Sequence, residues 1–311
     1  MQDPRIIALE AINLLESRVE FAAPHILLLC GGPAPIRNDP DEENKIVSLR
    51  HALVNSHDHK LELFRPEDVT DWQTDANFHN LIDLEVELAA ICSLVIIILE
   101  SPGAIAELGA FSQLEEFQGK IVIINNEQDT LKESFINLGL VRHVTAYSSR
   151  EPRTFPWDKS RPGTITDELI EDVLEDLSEE VAKLPKSQKI SERSNSHQLV
   201  AIYELLELFT ALKEHEIHDF LLRLGINITK DSLKRKLLIL QRFKIIRKEI
   251  YSDSTFYVKD RYEFHRISFS IHPEHQYDSL RVEMQVSNYY LENPKEKHRL
   301  RVINRLKGAR A

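Results

Sequence analysis

The chain has 311 residues with 39 basic and 50 acidic side chains, a formal net charge of -11, and 42% hydrophobic and 29% charged residues. That is the balance of a globular protein with room for two domains of about 150 residues each. No apolar run approaches the roughly 20 residues a membrane-crossing helix needs, and two cysteines are too few for a disulfide scaffold or a cysteine-zinc site.

The start, Met1-Gln2-Asp3-Pro4, lacks a basic segment leading into an apolar stretch, so a cytoplasmic protein without a secretory signal is expected. Charge divides the chain. Residues 1–185 hold 15 basic and 34 acidic side chains, residues 186–311 hold 24 and 16. Two modules with different partners follow, a domain over 1–185 and a second over 196–311, joined by the polar stretch from Pro185 to Ser196. The acidic half can bind an anion only through local backbone dipoles, because its net field is repulsive.

In chain order, His25–Cys30 is a wholly apolar run ending in Gly31-Gly32-Pro33, as a buried parallel strand does. Lys45–Asn55 has helical spacing at Ile46, Leu49, Leu53 and Val54, and Leu61–Phe64 is a second strand before Arg65-Pro66-Glu67-Asp68. Asn80–Cys92 is a helix with Leu81, Leu84, Leu88 and Ile91 on one stripe, Leu94–Leu99 a third strand, Ala104–Phe117 a helix and Ile121–Ile124 a fourth strand. Asp167–Leu184 closes the half as a helix. This alternation predicts an α/β domain with a Rossmann-like parallel sheet. Cys30 and Cys92 read as reduced core residues.

Ligands of such sheets bind beyond the carboxyl ends of the strands, which selects three segments. Gly31-Gly32 is either a tight turn or a close backbone approach to a ligand; it is no GxGxxG, and no P-loop occurs. Arg65-Pro66-Glu67-Asp68 is either a solvated turn or an acidic pocket wall. In Glu100–Phe111, Pro102-Gly103 forces a turn, Ser101 or Gly103 opens a helix, and Glu107 falls one turn into it, where the helix dipole favours its ionised form by about 0.3–1 kcal/mol. Thirteen histidines, among them His51, His57 and His59, show no metal-ligand spacing, so no metal is expected. Trp72 and Trp157 lie in polar contexts, where ordinary packing competes with stacking on a base.

The C-terminal half predicts three helices, Gln198–Leu212, Glu216–Leu224 and Lys230–Phe243, then a hairpin of Ile245–Ile250 and Thr255–Val258 around Ser252-Asp253-Ser254. Thr229 is the expected N-cap of the third helix. That order is the winged variant of helix-turn-helix. Lys230, Lys234, Arg235, Lys236 and Arg242 are the expected contacts for nucleic acid or a protein partner. The tail from Tyr277, with Arg299, Arg301, Arg305, Lys307 and Arg310, extends the basic surface if it packs as a helix.

The strand followed by Ser-Pro-Gly, Glu107-Leu108-Gly109 and Ala110-Phe111 resembles the signature of the nucleoside 2-deoxyribosyltransferase-like superfamily. More specifically, Leu28–Gly32, Phe64–Asp68, Glu100–Phe111 and Ser134–Arg142 resemble, in order, the blocks of retron defence effectors that join such a domain to a winged helix. The resemblance implies that Glu107 is catalytic, attacking or stabilising the anomeric carbon of a ribosyl group. Gly31, Gly32, Glu67, Asp68, Glu85 (or Asp83), Ser101 and Gly103 would line the substrate pocket, and Asn137 would reach a neighbouring subunit's site in a homo-oligomer. It also implies a partner, a reverse transcriptase with its msDNA, that holds the effector inactive. Phe111 stands where the transferases carry a tyrosine and cannot supply a phenolic hydroxyl, so the resemblance does not extend to transfer between two bases and leaves hydrolysis and transfer both open.

Breaking an N-glycosidic bond builds positive charge on the ribose C1, which one carboxylate stabilises. A pyridinium leaving group needs no acid; a neutral base does, so a single compelling glutamate favours NAD, as substrate and not as cofactor. Two function classes compete: an NAD-consuming N-glycosidase toxin, and a nucleotide-sensing DNA-binding regulator with an inactive transferase-like domain.

Overall fold

The computed structural model describes residues 3–23, 25–35, 45–56, 61–68, 78, 81–130, 133–148, 150–260 and 262–308. The chain forms two compact units, residues 24–75 with 80–184, and residues 1–23 with 76–79 and 185–311. The first 23 residues, expected in the N-terminal domain, thus belong with the C-terminal part. They form helix α1 (Pro4–Glu10) and strand β1 (Ile12–Glu20), whose strand partners lie far along the chain. A register shift between Asn13 and Arg18 breaks the alternation of β1. There the Ser17 hydroxyl donates to the Asn13 carbonyl and accepts the Ser270 N–H, and such an irregularity hides a strand from a period-two reading.

The acidic unit carries strands β2 (Ile26–Cys30), β3 (Glu62–Phe64), β4 (Leu94–Ile98), β5 (Ile121–Asn126) and β6 (Arg153–Phe155), with helices α2 (Leu49–Asn55), α3 (Leu81–Ile91), α4 (Pro102–Phe111), α5 (Glu127–Thr130), α6 (Arg142–Ser148) and α7 (Asp167–Ala182). The five strands are parallel in the order β3-β2-β4-β5-β6. Helices cover both faces, which is why β2 and β4 are apolar throughout. Leu27, Leu29, Ile96, Ile98, Val122 and Ile124 pack with Leu49 and Leu53 of α2 and Val173 and Leu177 of α7. The strand period turns Leu28, Cys30, Val95 and Ile97 to the other face, which α3 and α4 cover. Trp157 packs in the first of these cores, whereas Trp72, His57 and His59 lie outside the described residues.

Two helices differ from their expected spans for reasons of capping. The Ser48 hydroxyl accepts the His51 N–H at 2.9 Å and starts α2 four residues late. Ser101 accepts the Ala104 N–H at 3.1 Å, so α4 begins at Pro102, and it ends at Phe111, whose ring stacks on Phe117 in the core. Cys30 and Cys92 are free and buried.

The second unit continues with β7 (Ser187–Lys189), α8 (Asn195–Phe209), β8 (Ala211–Leu212), α9 (Glu214–Arg223), α10 (Lys230–Arg242), β9 (Ile246–Tyr251), β10 (Ser254–Lys259), β11 (Arg266–Ile271), α11 (Ser279–Glu292) and α12 (Lys297–Gly308). Its sheets have the orders β8-β10-β9 and β11-β1-β7. Thr229 caps α10, accepting the Ser232 N–H at 3.2 Å. No helix among the described residues is long and apolar enough to cross a membrane.

Candidate active site

In the parallel sheet the strand order reverses between β2 and β4, because the chain runs outward to β3 and then returns across β2. The carboxyl ends of β2 and β4 therefore open the crevice where this topology places ligands. Part of that crevice is closed by the protein itself. Glu100, directly after β4, accepts the N–H groups of Gly32 (2.9 Å), Leu49 (2.8 Å) and Arg50 (3.0 Å). Its carboxylate thereby satisfies the orphan donors at the start of α2.

Gly31 and Gly32, expected to face the substrate, are packed against this arrangement. A Cβ on Gly31 would lie 3.0 Å from Arg50 Cβ, and one on Gly32 2.7 Å from Ser48 Cβ and 3.0 Å from the Glu100 carboxyl carbon. Close approach of chain to chain is the reason for both glycines. Gly32→Ala should therefore cost about 1–3 kcal/mol in urea unfolding. Gly103→Ala, whose Cβ would meet only Ser101 Oγ at 3.7 Å, should be nearly neutral. Ser101 likewise serves the scaffold, capping α4 and donating to the Gly31 carbonyl at 2.8 Å.

The chemistry gathers around the carboxyl end of β2. Cys30 ends β2, Glu85 comes from α3 and Glu107 from α4, and Glu67 and Arg50 complete the group. Arg50 is buried, donates to the Gly32 carbonyl at 3.3 Å and forms a two-pronged ion pair with Glu67. Burial opposes ionisation of Glu67, but the Arg50 hydrogen bonds outweigh it and hold the carboxyl below its usual range. Glu107 has no such partner. Its Oε2 is buried without a hydrogen bond among the described residues. Burial pushes its carboxyl up, with Arg50 opposing and Glu67 reinforcing the shift, and a hydrogen bond from the Cys30 thiol also opposes it. Glu85 is buried, and burial together with the charges of Glu107 and Glu67 pushes it up to about 7. Burial and then Glu107 push the Cys30 thiol well above its usual range, so it is a protonated neighbour and no nucleophile.

Three carboxyls thus meet in three conditions: Glu67 ionised by Arg50, Glu107 with one buried oxygen that accepts no hydrogen bond among the described residues, and Glu85 holding a proton near neutrality. Among the described residues no group of three or more His, Cys, Asp or Glu is arranged to hold a metal ion.

Residues 46–248, more than half of the chain, match the family described as STM3845 retron effector protein. The chain belongs to that family. Two Escherichia coli proteins are similar to it. "Retron Ec73 putative ribosyltransferase/DNA-binding protein" is 27% identical over 203 residues, which cover 57% of this chain and 63% of that protein. "Retron Ec86 putative ribosyltransferase/DNA-binding protein" is 37% identical over 125 residues, covering 40% and 38%. The chain therefore spans less than two thirds of the length of either relative.

The family match spans Arg50, Glu67, Glu85 and Glu107, but other expected site residues are engaged elsewhere. Asp68 accepts the backbone N–H and the guanidinium of Arg65, which also donates to the Ala34 carbonyl at 2.7 Å. It buttresses the loop rather than presenting a free carboxylate. Asp83 shares α3 with Glu85 and is half-buried. Asn137 lies on a π-helical segment, Ile136–Val141, and its amide donates to the Asp129 carbonyl at 2.7 Å and accepts from Asn125 at 3.4 Å. It is held within its own chain.

The basic helix α10 needs one correction. Lys230, Lys234 and Arg242 are exposed and Arg235 half-buried, but Lys236 is 0% exposed and donates to Asn195 Oδ1 at 2.7 Å. It lies three residues after Leu233 and four before Leu240, on the core face of the helix. The tail is helical over α11 and α12, yet Arg299 is buried against Glu216 and Glu296 and adds nothing to a basic surface. Arg301, Arg305 and Lys307 remain outward, and Arg310 lies outside the described residues.

Proposed function

We propose that this chain is the toxic effector of a retron anti-phage system, and that its acidic unit cleaves the N-glycosidic bond of NAD or a related nucleotide. The observation that carries this reading is Glu107. Its carboxylate stands on α4 beside the strand-order reversal with one buried oxygen that accepts no hydrogen bond among the described residues, and an oxygen left open in this way gains most from positive charge growing on a sugar. With nicotinamide as the leaving group, the departing pyridinium takes the bond electrons and leaves neutral, so no proton is required.

Glu85 widens the chemistry. Because its carboxyl is pushed up to about 7, it can donate a proton to a neutral base as the C–N bond breaks. In assays of released base, Glu85→Gln should cost purine and pyrimidine donors about 100-fold or more and spare NAD to within about tenfold. For the neutral donors activity should also fall as pH rises through about 7, where Glu85 loses its proton. Equal losses on both donor classes would make Glu85 structural.

In this reading α8, α9, α10 and the β9–β10 hairpin are a winged helix that docks on a reverse transcriptase carrying msDNA, with Lys230, Lys234, Arg235 and Arg242 toward the partner. The family match and the names of the two relatives support a retron setting. A sensor with an inactive transferase-like domain would bind nucleotide without consuming it.

A further inference from the structure

Two buried polar atoms at the carboxyl end of β2 have no hydrogen-bond partner among the described residues, the Nε of Arg50 and the Oε2 of Glu107. Arg50 is only 4% exposed. Its terminal nitrogens are committed, Nη1 to the Gly32 carbonyl and to Glu67, and Nη2 to Glu67. The Glu67 side chain is 60% exposed, so the ion pair holds the tip of the guanidinium toward solvent while the Nε–H stays on the buried side. Because the guanidinium is a rigid planar fork, Nε cannot turn away without breaking those bonds.

Both atoms belong to one place. Arg50 Cβ and Cδ would lie 3.0 and 3.2 Å from a Cβ on Gly31, and the thiol of Cys30, one residue earlier, donates to Glu107. The charge of Arg50 also acts on Glu107, opposing the upward shift that burial causes. A buried donor and a buried acceptor left unmatched are each costly, and few polar atoms in a folded protein stay that way without a reason. One group that serves both must accept from Nε and donate to Oε2. A phosphate oxygen only accepts and an ammonium only donates, whereas a hydroxyl does both. On a ribosyl donor the hydroxyl adjoining C1 is the one on C2, and hydrogen bonds to it strengthen as a glycosidic bond breaks.

We propose that Arg50 and Glu107 together clamp the ribose 2′-hydroxyl of the substrate, which makes the acidic unit selective for ribosyl over 2′-deoxyribosyl donors. The clamp rests on the reaction proposed for Glu107, yet binding tests it apart from cleavage. Calorimetry on the full Glu107→Gln chain, whose amide oxygen still accepts a hydroxyl, would use NAD and AMP, each beside analogues lacking the 2′- or the 3′-hydroxyl of the reacting ribose. Loss of the 2′-hydroxyl should weaken binding about tenfold to a hundredfold, and loss of the 3′-hydroxyl much less. Adding Arg50→Lys keeps a positive charge beside Glu67 but puts a methylene where Nε stands. It should close most of the 2′ gap, with the urea midpoint read to show that the double variant is folded. A wild-type chain that releases no base, beside an intact calorimetric preference for the 2′-hydroxyl, would contradict the reaction and uphold the clamp. Equal binding of the ribosyl and 2′-deoxyribosyl forms, a larger loss from the 3′-hydroxyl, or a 2′ gap that folded Arg50→Lys leaves unchanged would overturn the proposal.

Discussion

Glu107→Gln should lose base-releasing activity by about 1,000-fold or more, close to 4 kcal/mol of barrier, while unfolding at the wild-type urea midpoint or slightly above it. Both halves of this result come from the surroundings of the carboxyl. The amide keeps the volume, so α4 and the core around Leu108 and Phe111 are undisturbed. Among the described residues Oε2 has no hydrogen bond to lose, the amide oxygen can still accept the Cys30 thiol, and burial with the nearby Glu67 already disfavours the charged form. Only the negative charge needed opposite a positive sugar disappears. On the acid side wild-type activity should fall for the same reason, because Glu107 takes up a proton at a higher pH than an ordinary glutamate. A folded Glu107→Gln protein with wild-type turnover would remove Glu107 from the chemistry.

Glu216→Ala should destabilise the second unit by about 3–5 kcal/mol, the penalty for leaving buried charges without their counter-ion. Arg5 and Arg299 are both buried, and both donate to Glu216, Arg5 at 2.9 Å. Its other oxygen accepts the Lys213 N–H at 2.8 Å at the start of α9. One carboxylate thus ties α1, α9 and α12 together, while Asp3 and Glu296 keep part of each arginine satisfied. Burial opposes ionisation of Glu216, but Arg299 and then Arg5 outweigh it and hold the carboxyl below its usual range. Its folded pKa is therefore depressed, so this stabilisation is present above the unfolded value and is lost as pH falls through the folded one. Urea unfolding at neutral pH measures the loss. Glu16→Ala, which breaks the exposed pair with Lys189, should cost less than about 1 kcal/mol by comparison, and an equally small loss at Glu216 would refute the tie.

The acidic sheet was legible because strands buried on both faces, such as Leu27–Cys30 and Leu94–Ile98, leave unbroken apolar runs. Glu107 was legible because a capped turn sets its distance from the strand end. What escaped were pairings between distant residues. Arg50 meets Glu67 across two loops, and Glu100 looked like part of a motif but serves as the cap of α2. Lys236 carries the same charge as its exposed neighbours, and only the packing of α10 shows that its stem is core. β1 was missed because its partners lie at the far end of the chain and its alternation is interrupted.

The most direct test follows NAD, and separately AMP and CMP, by proton NMR in the presence of the purified full chain. Free base should accumulate well beyond one equivalent per chain, with the matching ribosyl product, and Glu107→Gln should abolish it. Ligand that binds and is recovered intact from the wild-type protein would contradict an enzyme built on Glu107.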